Sequence, residues 1–417
     1  MSLNFSKYTQ HWQDKKLNEL GSFQRGKSRH RPRNDPRLFL NGSYPLVQTG
    51  EIKEANLFIK NHKESYNDFG LAQSKLWPKN TLCITIAANI AETALLGYPM
   101  CFPDSVVGFN ADPTESSEVF MHYLFTFIKR TIQNSATGSI QDNINIEYLT
   151  NLRLKIPHKN YQDKIVDILS VLDAKIELNN QINAELEKMA KTIYDYWFVQ
   201  FDFPDANGKP YKSSGGKMVW NEELKREIPE GWEVLQLSNK LTFEKGVEPG
   251  TAQYKEKKES INHIKFIRVG DIENYSSIFV DNSQKKYATV NEKDVLVTFD
   301  GSVGKVAFGF EGAYSGGLRK IYDKSGIIDS SLIYFIFKDE RLIKTIHKYA
   351  TGSILLHAGA SINNLKISFN EKKYLEFQNI IKPFFYKMMI NKKQNQTLSE
   401  LRDWLLPMLM NGQVKVE

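Results

Sequence analysis

Asp163–Phe198 reads DKIVDILSVLDAKIELNNQINAELEKMAKTIYDYWF, without a proline or a glycine. Its apolar residues recur in steps of four and three at Ile165, Leu169, Leu172, Ile176, Leu186, Ala190, Ile193 and Trp197. That alternation is a coiled-coil seam on a long helix. Two seam positions are polar, Asn179 and Asn183. The stretch Leu375–Met410 repeats the layout 212 residues later, with Phe377, Ile381, Phe384, Met388, Leu398, Leu405 and Leu409 in the seam and Asn391 and Asn395 at the same two interruptions. Superposing the seam midpoints predicts an antiparallel pair in which Asn179 faces Asn395 and Asn183 faces Asn391. Leu172 then meets Arg402, whose charged head is expected to turn outward. A slip by one turn would set an amide against Leu or Ile, at about 1–3 kcal/mol for each unpaired group. The asparagines thus set the register, as polar seam residues do in simpler coils, unless each faces solvent on a separate helix.

The rest of the chain is a repeat, and this decides the architecture. His11-Trp12 opens the first copy and Gly231-Trp232 the second. At the same offset Leu17 matches Leu237, Phe23 matches Phe243, Gly26 matches Gly246 and Gly50 matches Gly270. Further on, LCITIAANIAETA (Leu82–Ala94) lies against VLVTFDGSVGKVA (Val295–Ala307), and Ala136-Thr-Gly-Ser-Ile140 recurs letter for letter as Ala350-Thr-Gly-Ser-Ile354. Each copy is therefore a globular module followed by a long helix. Tyr44–Gln48, Leu82–Ile86, Ile264–Val269 and Val295–Phe299 read as strands. Val119–Ile132 and Ser330–Tyr349 have helical spacing. Arg153–Ile156 and Lys366–Phe369 alternate and read as a last strand entering each long helix. Asp202–Gly231, rich in Pro, Gly and Ser, reads as a linker.

The 417 residues are 41% hydrophobic and 25% charged, a globular composition with room for two or three cores. A net charge of +7 and a pI near 8.9 suit a polyanionic partner without requiring one. Cys83 and Cys101 have no metal-ligand spacing, and a reducing cytoplasm is expected. The N-terminus is polar, without the pattern of a secretory leader. The most apolar window, Thr81–Pro99, contains Asn89 and Glu92 and is too short and polar to span a bilayer.

Catalytic constellations do not stand out. The eight histidines are scattered, with no HExxH and no Cys/His cluster. Gly301-Ser-Val-Gly-Lys305 lacks the spacing of a phosphate loop, and its counterpart puts Ala91-Glu92 where the second copy has Gly304-Lys305; a strand–turn–strand loop is the plainer reading. Binding signals are clearer. Arg25, Lys27, Arg29, Arg31, Arg33 and Arg37 crowd thirteen residues with Pro and Gly among them. This is either a solvated loop or a surface for phosphates. The copies share a frame but differ in their loops: Gln48-Thr49 stands against Arg268-Val269, and Asn89 against Ser302. Arg and Gln carry fork-like donors suited to base edges. The Thr-Gly-Ser loops suit phosphate oxygens or are plain helix-to-strand turns.

On these residues the sequence resembles the specificity subunit of Type I restriction–modification systems. The duplicated module with Gly50-Glu51-Ile52 and Gly270-Asp271-Ile272 carries the resemblance, as do the Asp300–Ala307 strand pair and the long helix with TIYDYWFVQFDFP (Thr192–Pro204) after the first module. The resemblance implies an α+β fold: two pseudo-symmetric α/β target-recognition domains separated by a pair of long antiparallel coiled-coil helices. The expected boundaries are 1–158 for the first recognition domain, 159–200 for the first spacer helix, 201–230 for a linker, 231–371 for the second recognition domain and 372–412 for the second spacer helix. The chain would be a non-catalytic subunit reading a split double-stranded DNA site, with two methyltransferase subunits and restriction subunits as partners. S-adenosylmethionine, ATP and Mg would belong to those partners, and no cofactor or metal to this chain. The competing class is a stand-alone DNA-binding or scaffold protein assembling through its helices. The residues expected at DNA are Arg25, Lys27, Arg29, Arg31, Arg33, Gln48, Thr49, Asn89, Thr137, Ser139 and Gln141 in the first copy. In the second they are Lys245, Arg268, Ser302, Lys305, Arg319, Thr351, Ser353 and His357.

Overall fold

A computed structural model describes residues 12–137, 144–272, 278–352 and 356–416. It divides into two compact units, Met1–Glu177 with Gln396–Glu417, and Leu178–Asn395. The first long helix is Lys159–Tyr194, continued by a π-helical turn over Asp195–Val199; the second is Glu371–Met410. Each helix contributes residues to both units.

In the first unit a five-stranded sheet runs Gly21–Arg25, Val106–Ala111, Leu82–Thr85, Thr93–Leu96, Phe58–Ile59. Leu82, Ile84, Val107 and Phe109 pack on Phe120, Leu124, Phe125 and Ile128 of the helix Glu118–Thr137. Both faces of Leu82–Thr85 are buried, which is why it reads as a continuous apolar run rather than an alternating one. A smaller sheet runs Glu64–Tyr66, Tyr44–Leu46, Met100–Cys101, Leu76–Trp77. Gln13–Lys16 pairs antiparallel with Arg153–Ile156 just before the first long helix.

The second unit repeats this plan. Thr242–Lys245, Leu318–Tyr322, Val295–Thr298 and Val306–Ala307 form one sheet; Phe279–Asp281, His263–Ile267, Gly312–Tyr314 and Thr289–Val290 form the other. Glu233–Gln236 pairs with Lys366–Phe369 ahead of the second long helix. The turn after the buried strand is built alike in both units. Thr85 Oγ1 donates to the Asn89 carbonyl and accepts the Glu92 amide at 3.0 Å; Thr298 Oγ1 donates to the Ser302 carbonyl and accepts the Lys305 amide at 2.9 Å. Left-handed backbone falls at Gly301 and Gly304 (φ 72° and 83°) and, in the first unit, at Ala88 and Ala91 (both 62°). The first unit thus keeps the turn at the steric cost that glycine avoids.

Two expectations are corrected. Ser330–Tyr349 is two helices, Ser330–Phe337 and Glu340–Lys348. Asp339 breaks it, because its carboxylate caps the second helix by accepting the Arg341 amide at 2.9 Å. The linker stretch is packed rather than loose. Phe201 and Phe203 are buried with ring centroids 5.5 and 5.1 Å from Trp232, Asp202 accepts both the amide and the hydroxyl of Ser213, and Met218–Asn221 and Arg226–Pro229 form a hairpin. The Gly-Glu/Asp-Ile segments are helical turns, Thr49–Glu54 and Val269–Ile272.

The long helices run antiparallel. In the second unit Asn179 Nδ2 donates to Asn395 Oδ1, Asn395 Nδ2 to Asn180 Oδ1 and Asn391 Nδ2 to Asn183 Oδ1, each at 2.8 Å. Trp197 and Phe377 meet at 5.9 Å between centroids. In the first unit Ile165 and Leu169 share a core with Leu405, Leu406 and Leu409. Arg402 does not turn outward. It donates from Nη1 to Asp173 Oδ1 at 2.7 Å, and Tyr123 donates to Asp173 Oδ2 at 2.6 Å. Asp173 stands next to the seam residue Leu172, off the apolar period, and gives the guanidinium a buried partner.

Beside this ion pair lies a cavity of about 220 Å³ lined by Thr93, His122, Tyr123, Lys129, Asp173 and Arg402, among others. His122 Nδ1 is 3.0 Å from Thr93 Oγ1. Burial pushes the His122 imidazole down to about 4, with Asp173 opposing the shift and Arg402 adding to it. The unfolded chain takes up this proton near pH 6.5, and the folded chain refuses it until about pH 4. The contribution of neutral His122 is therefore complete above pH 6.5 and is lost as pH falls, by about 1.4 kcal/mol per unit between those values. Resistance to chemical unfolding should therefore fall between pH 7 and 5, and His122→Gln should flatten the dependence. An unchanged slope in the variant would reject this assignment.

Candidate nucleic-acid interface

A groove of about 850 Å³ opens in the second unit where five backbone segments converge: Lys245–Glu248, Arg268–Gly270, Asp300–Ser302, Ser315–Gly317, and His357. The segments are bonded to one another. The Val247 amide donates to the Tyr314 carbonyl at 3.2 Å, Ser315 to Ile267 at 2.9 Å, Asp300 to Gly317 at 3.1 Å and Gly301 to Leu356 at 2.8 Å. Gly246 is needed for this close approach, since a Cβ there would lie 2.2 Å from the Ser315 carbonyl oxygen.

The groove brings together Lys245, Arg268, Ser302 and His357. Arg268 is clamped by Asp271 through Nε and Nη2 at 3.0 and 3.1 Å. This ion pair raises the guanidinium above its ordinary value, against burial. His357 Nδ1 is 2.8 Å from Asp300 Oδ1, and its backbone pairs both ways with Thr351. Lys305 lies at the end of the same turn, where its amide is held by Thr298. Arg319 is no surface donor: it is only 8% exposed, and its Nη1 donates to the Gly316 and Leu318 carbonyls at 2.7 and 3.0 Å. It props the groove floor instead. Burial lowers its pKa, against the attraction of Asp300. Glu248 and Asp300 were missed as site residues, because a carboxylate is not sought on a surface meant for a polyanion. The only signal along the chain is that Glu248 and Glu256 interrupt the lysines of Lys245–Lys258, the stretch that matches the basic loop of the first copy. Glu248 is held by the Tyr254 hydroxyl at 2.9 Å and the Gly316 amide at 3.1 Å.

In the first unit the basic loop is partly neutralised from within. Asp104 pairs with Arg33 at 2.7 Å and with Arg31 at 3.6 Å, and its carbonyl accepts Arg25 Nε at 2.5 Å. Asp35 binds Arg37 and His30. Lys27 and Arg29 are exposed and form no ion pair among the described residues. Gln48 is exposed and donates to Glu64 Oε2 at 2.7 Å; Thr49 opens the adjacent helical turn; Asn89 accepts Lys53 Nζ at 3.5 Å. Ser139, Gln141 and Ser353 lie outside the described residues, as does the side chain of Thr137 at the end of its helix.

Residues 9–188 match the model of the Type I restriction modification DNA specificity domain. The Type I restriction enzyme MjaIX specificity subunit of Methanocaldococcus jannaschii is 26% identical over 445 residues, covering 99% of this chain and 96% of that protein. The HindI specificity subunit of Haemophilus influenzae is 25% identical over 347 residues, covering 68% and 74%. The crystal structure of a Type I restriction–modification S subunit from M. genitalium shares the fold, with a TM-score of 0.53 at 16% identity over 98% of this chain and 97% of that one. The repeated frame read from the residues and the similarity along nearly the whole length agree: residues 9–188 match the Type I restriction modification DNA specificity domain, and the chain as a whole is similar to Type I restriction enzyme specificity subunits.

Proposed function

We infer that this chain is the sequence-specific DNA-binding subunit of a Type I restriction–modification complex, each module reading one half of a two-part site. The observation that carries this is a common turn, held by Thr85 in one unit and Thr298 in the other, set among different surface residues: Gln48 against Arg268, Ala87 against Asp300, Asn89 against Ser302. A conserved-geometry frame with exchangeable loops is what two distinct half-sites require. Lys27 and Arg29 supply phosphate contacts and Arg268 a base-edge donor. The lengths of the long helices, 36 and 40 residues, set the number of unread base pairs between half-sites.

In this reading the chain is non-catalytic and works in the cytoplasm. Two methyltransferase subunits dock on the helices and restriction subunits join them; S-adenosylmethionine, ATP and Mg are bound by those partners. Among the described residues no helix is long and apolar enough to cross a membrane. The test is copurification from the source cells followed by mapping of methylated adenines. The expected result is a complex with a methyltransferase that marks one two-part sequence. A chain that binds DNA but brings down no methyltransferase would be the stand-alone reader instead.

A further inference from the structure

The second unit's groove carries both signs of charge. A surface that only gripped phosphates would be cationic throughout. Here Lys245 and Arg268 share the cavity with Glu248 and Asp300. A carboxylate facing a phosphate backbone costs binding energy, so its place must be offset by a donor on the DNA. In the major groove the donors are the exocyclic amino groups, N4 of cytosine and N6 of adenine.

Of the two carboxylates, Asp300 is the one placed to accept. Glu248 has both oxygens engaged, by Tyr254 and by the Gly316 amide. Asp300 binds His357 through Oδ1 at 2.8 Å, and among the described residues its Oδ2 has no hydrogen-bond partner. The side chain is partly exposed at 21%. Its backbone is fixed by the Gly317 carbonyl, and His357 limits its rotation. It therefore presents one acceptor on a rigid mount, the condition for discrimination rather than adaptable contact. Asp300 and His357 do not belong to a metal site: among the described residues no three His, Cys, Asp or Glu side chains gather in that way. The first unit has Ala87 at the matching place.

We propose that Asp300 is a specificity-determining residue of the second module, accepting a hydrogen bond through Oδ2 from the exocyclic amino group of one cytosine or adenine in its half-site. This rests on the proposed function above. Arg268, clamped by Asp271, is the complementary donor in the same groove.

The test selects bound duplexes from a randomised pool, using the full chain with its copurified methyltransferase partners. The wild type, Asp300→Asn and Asp300→Ala are compared. At one position of one half-site, Asp300→Ala should lose about 5–150-fold of the preference for an amino-bearing base. At that position Asp300→Asn should admit guanine or thymine, because its amide can donate to O6 or O4. The other half-site and the salt dependence should not change, since no phosphate contact is removed. Unaltered base preference in both variants, with or without weaker binding, would leave Asp300 as a mere support for His357 and overturn the inference. A wild-type complex with no two-part preference would overturn the proposed function itself, a different result from the same selection. Unfolding curves for Asp300→Asn, nearly isosteric, separate lost folding from lost reading.

Discussion

Arg402→Met should destabilise the first unit by about 3–5 kcal/mol, the range for breaking a buried ion pair by removing one partner. Asp173 is only 8% exposed and holds two bonds, to Arg402 and to Tyr123. Without the guanidinium the carboxylate keeps a single hydroxyl donor inside a helix pair lined by Ile165, Leu169, Leu406 and Leu409. Restoring apolar packing should restore stability: the double change Asp173→Leu with Arg402→Met should recover most of the loss, because both charges leave together. A thermodynamic cycle over the two singles and the double measures this directly. If Arg402→Met costs under about 1 kcal/mol, the pair behaves as an exposed salt bridge and the account of the site is wrong. Tyr123→Phe should show a smaller loss of about 1–3 kcal/mol, since one acceptor is left short while the ion pair stays.

Replacing the first module by that of another specificity subunit should change one half of the recognised site completely and leave the other half as it was. The structure sets where to cut. Gln13–Lys16 pairs with Arg153–Ile156, so the two strands must travel together, and residues 12–156 are the piece to exchange. The donor module should also carry a hydroxyl at the place of Tyr123, because Asp173 on the retained helix needs it. Methylation mapping of the exchanged complex reads the outcome. A change in both half-sites would mean that the modules read jointly and that the common frame with separate loops is not a modular reader.

Periodicity and repetition carried much of the architecture in the sequence alone. The seam from Ile165 to Trp197, its echo from Phe377 to Leu409 and the asparagines at matched places depend only on spacing, and spacing is local. The buried strands Leu82–Thr85 and Val295–Thr298 were legible for the same reason. The strands entering the long helices, Arg153–Ile156 and Lys366–Phe369, alternate visibly in one dimension. What local pattern could not decide was every feature that depends on a distant partner. Arg402 looked like an outward-turning misfit, because Asp173 lies 229 residues away and off the apolar period. The stretch 202–231 looked like a linker, because Pro, Gly and Ser mark turns whether or not aromatic neighbours such as Trp232 bury them. Pro383 and Pro407 would end a helix on propensity alone; both lie inside Glu371–Met410, where tertiary packing outweighs a penalty of about 3 kcal/mol. The groove was least visible. Its residues come from five segments between Lys245 and His357, and only their backbone hydrogen bonds bring a clamped arginine and a half-free carboxylate to one wall. Spacing along the chain fixed which elements form and which helix faces pair; the tertiary fold alone decided which charges are neutralised and which remain to be read by a partner.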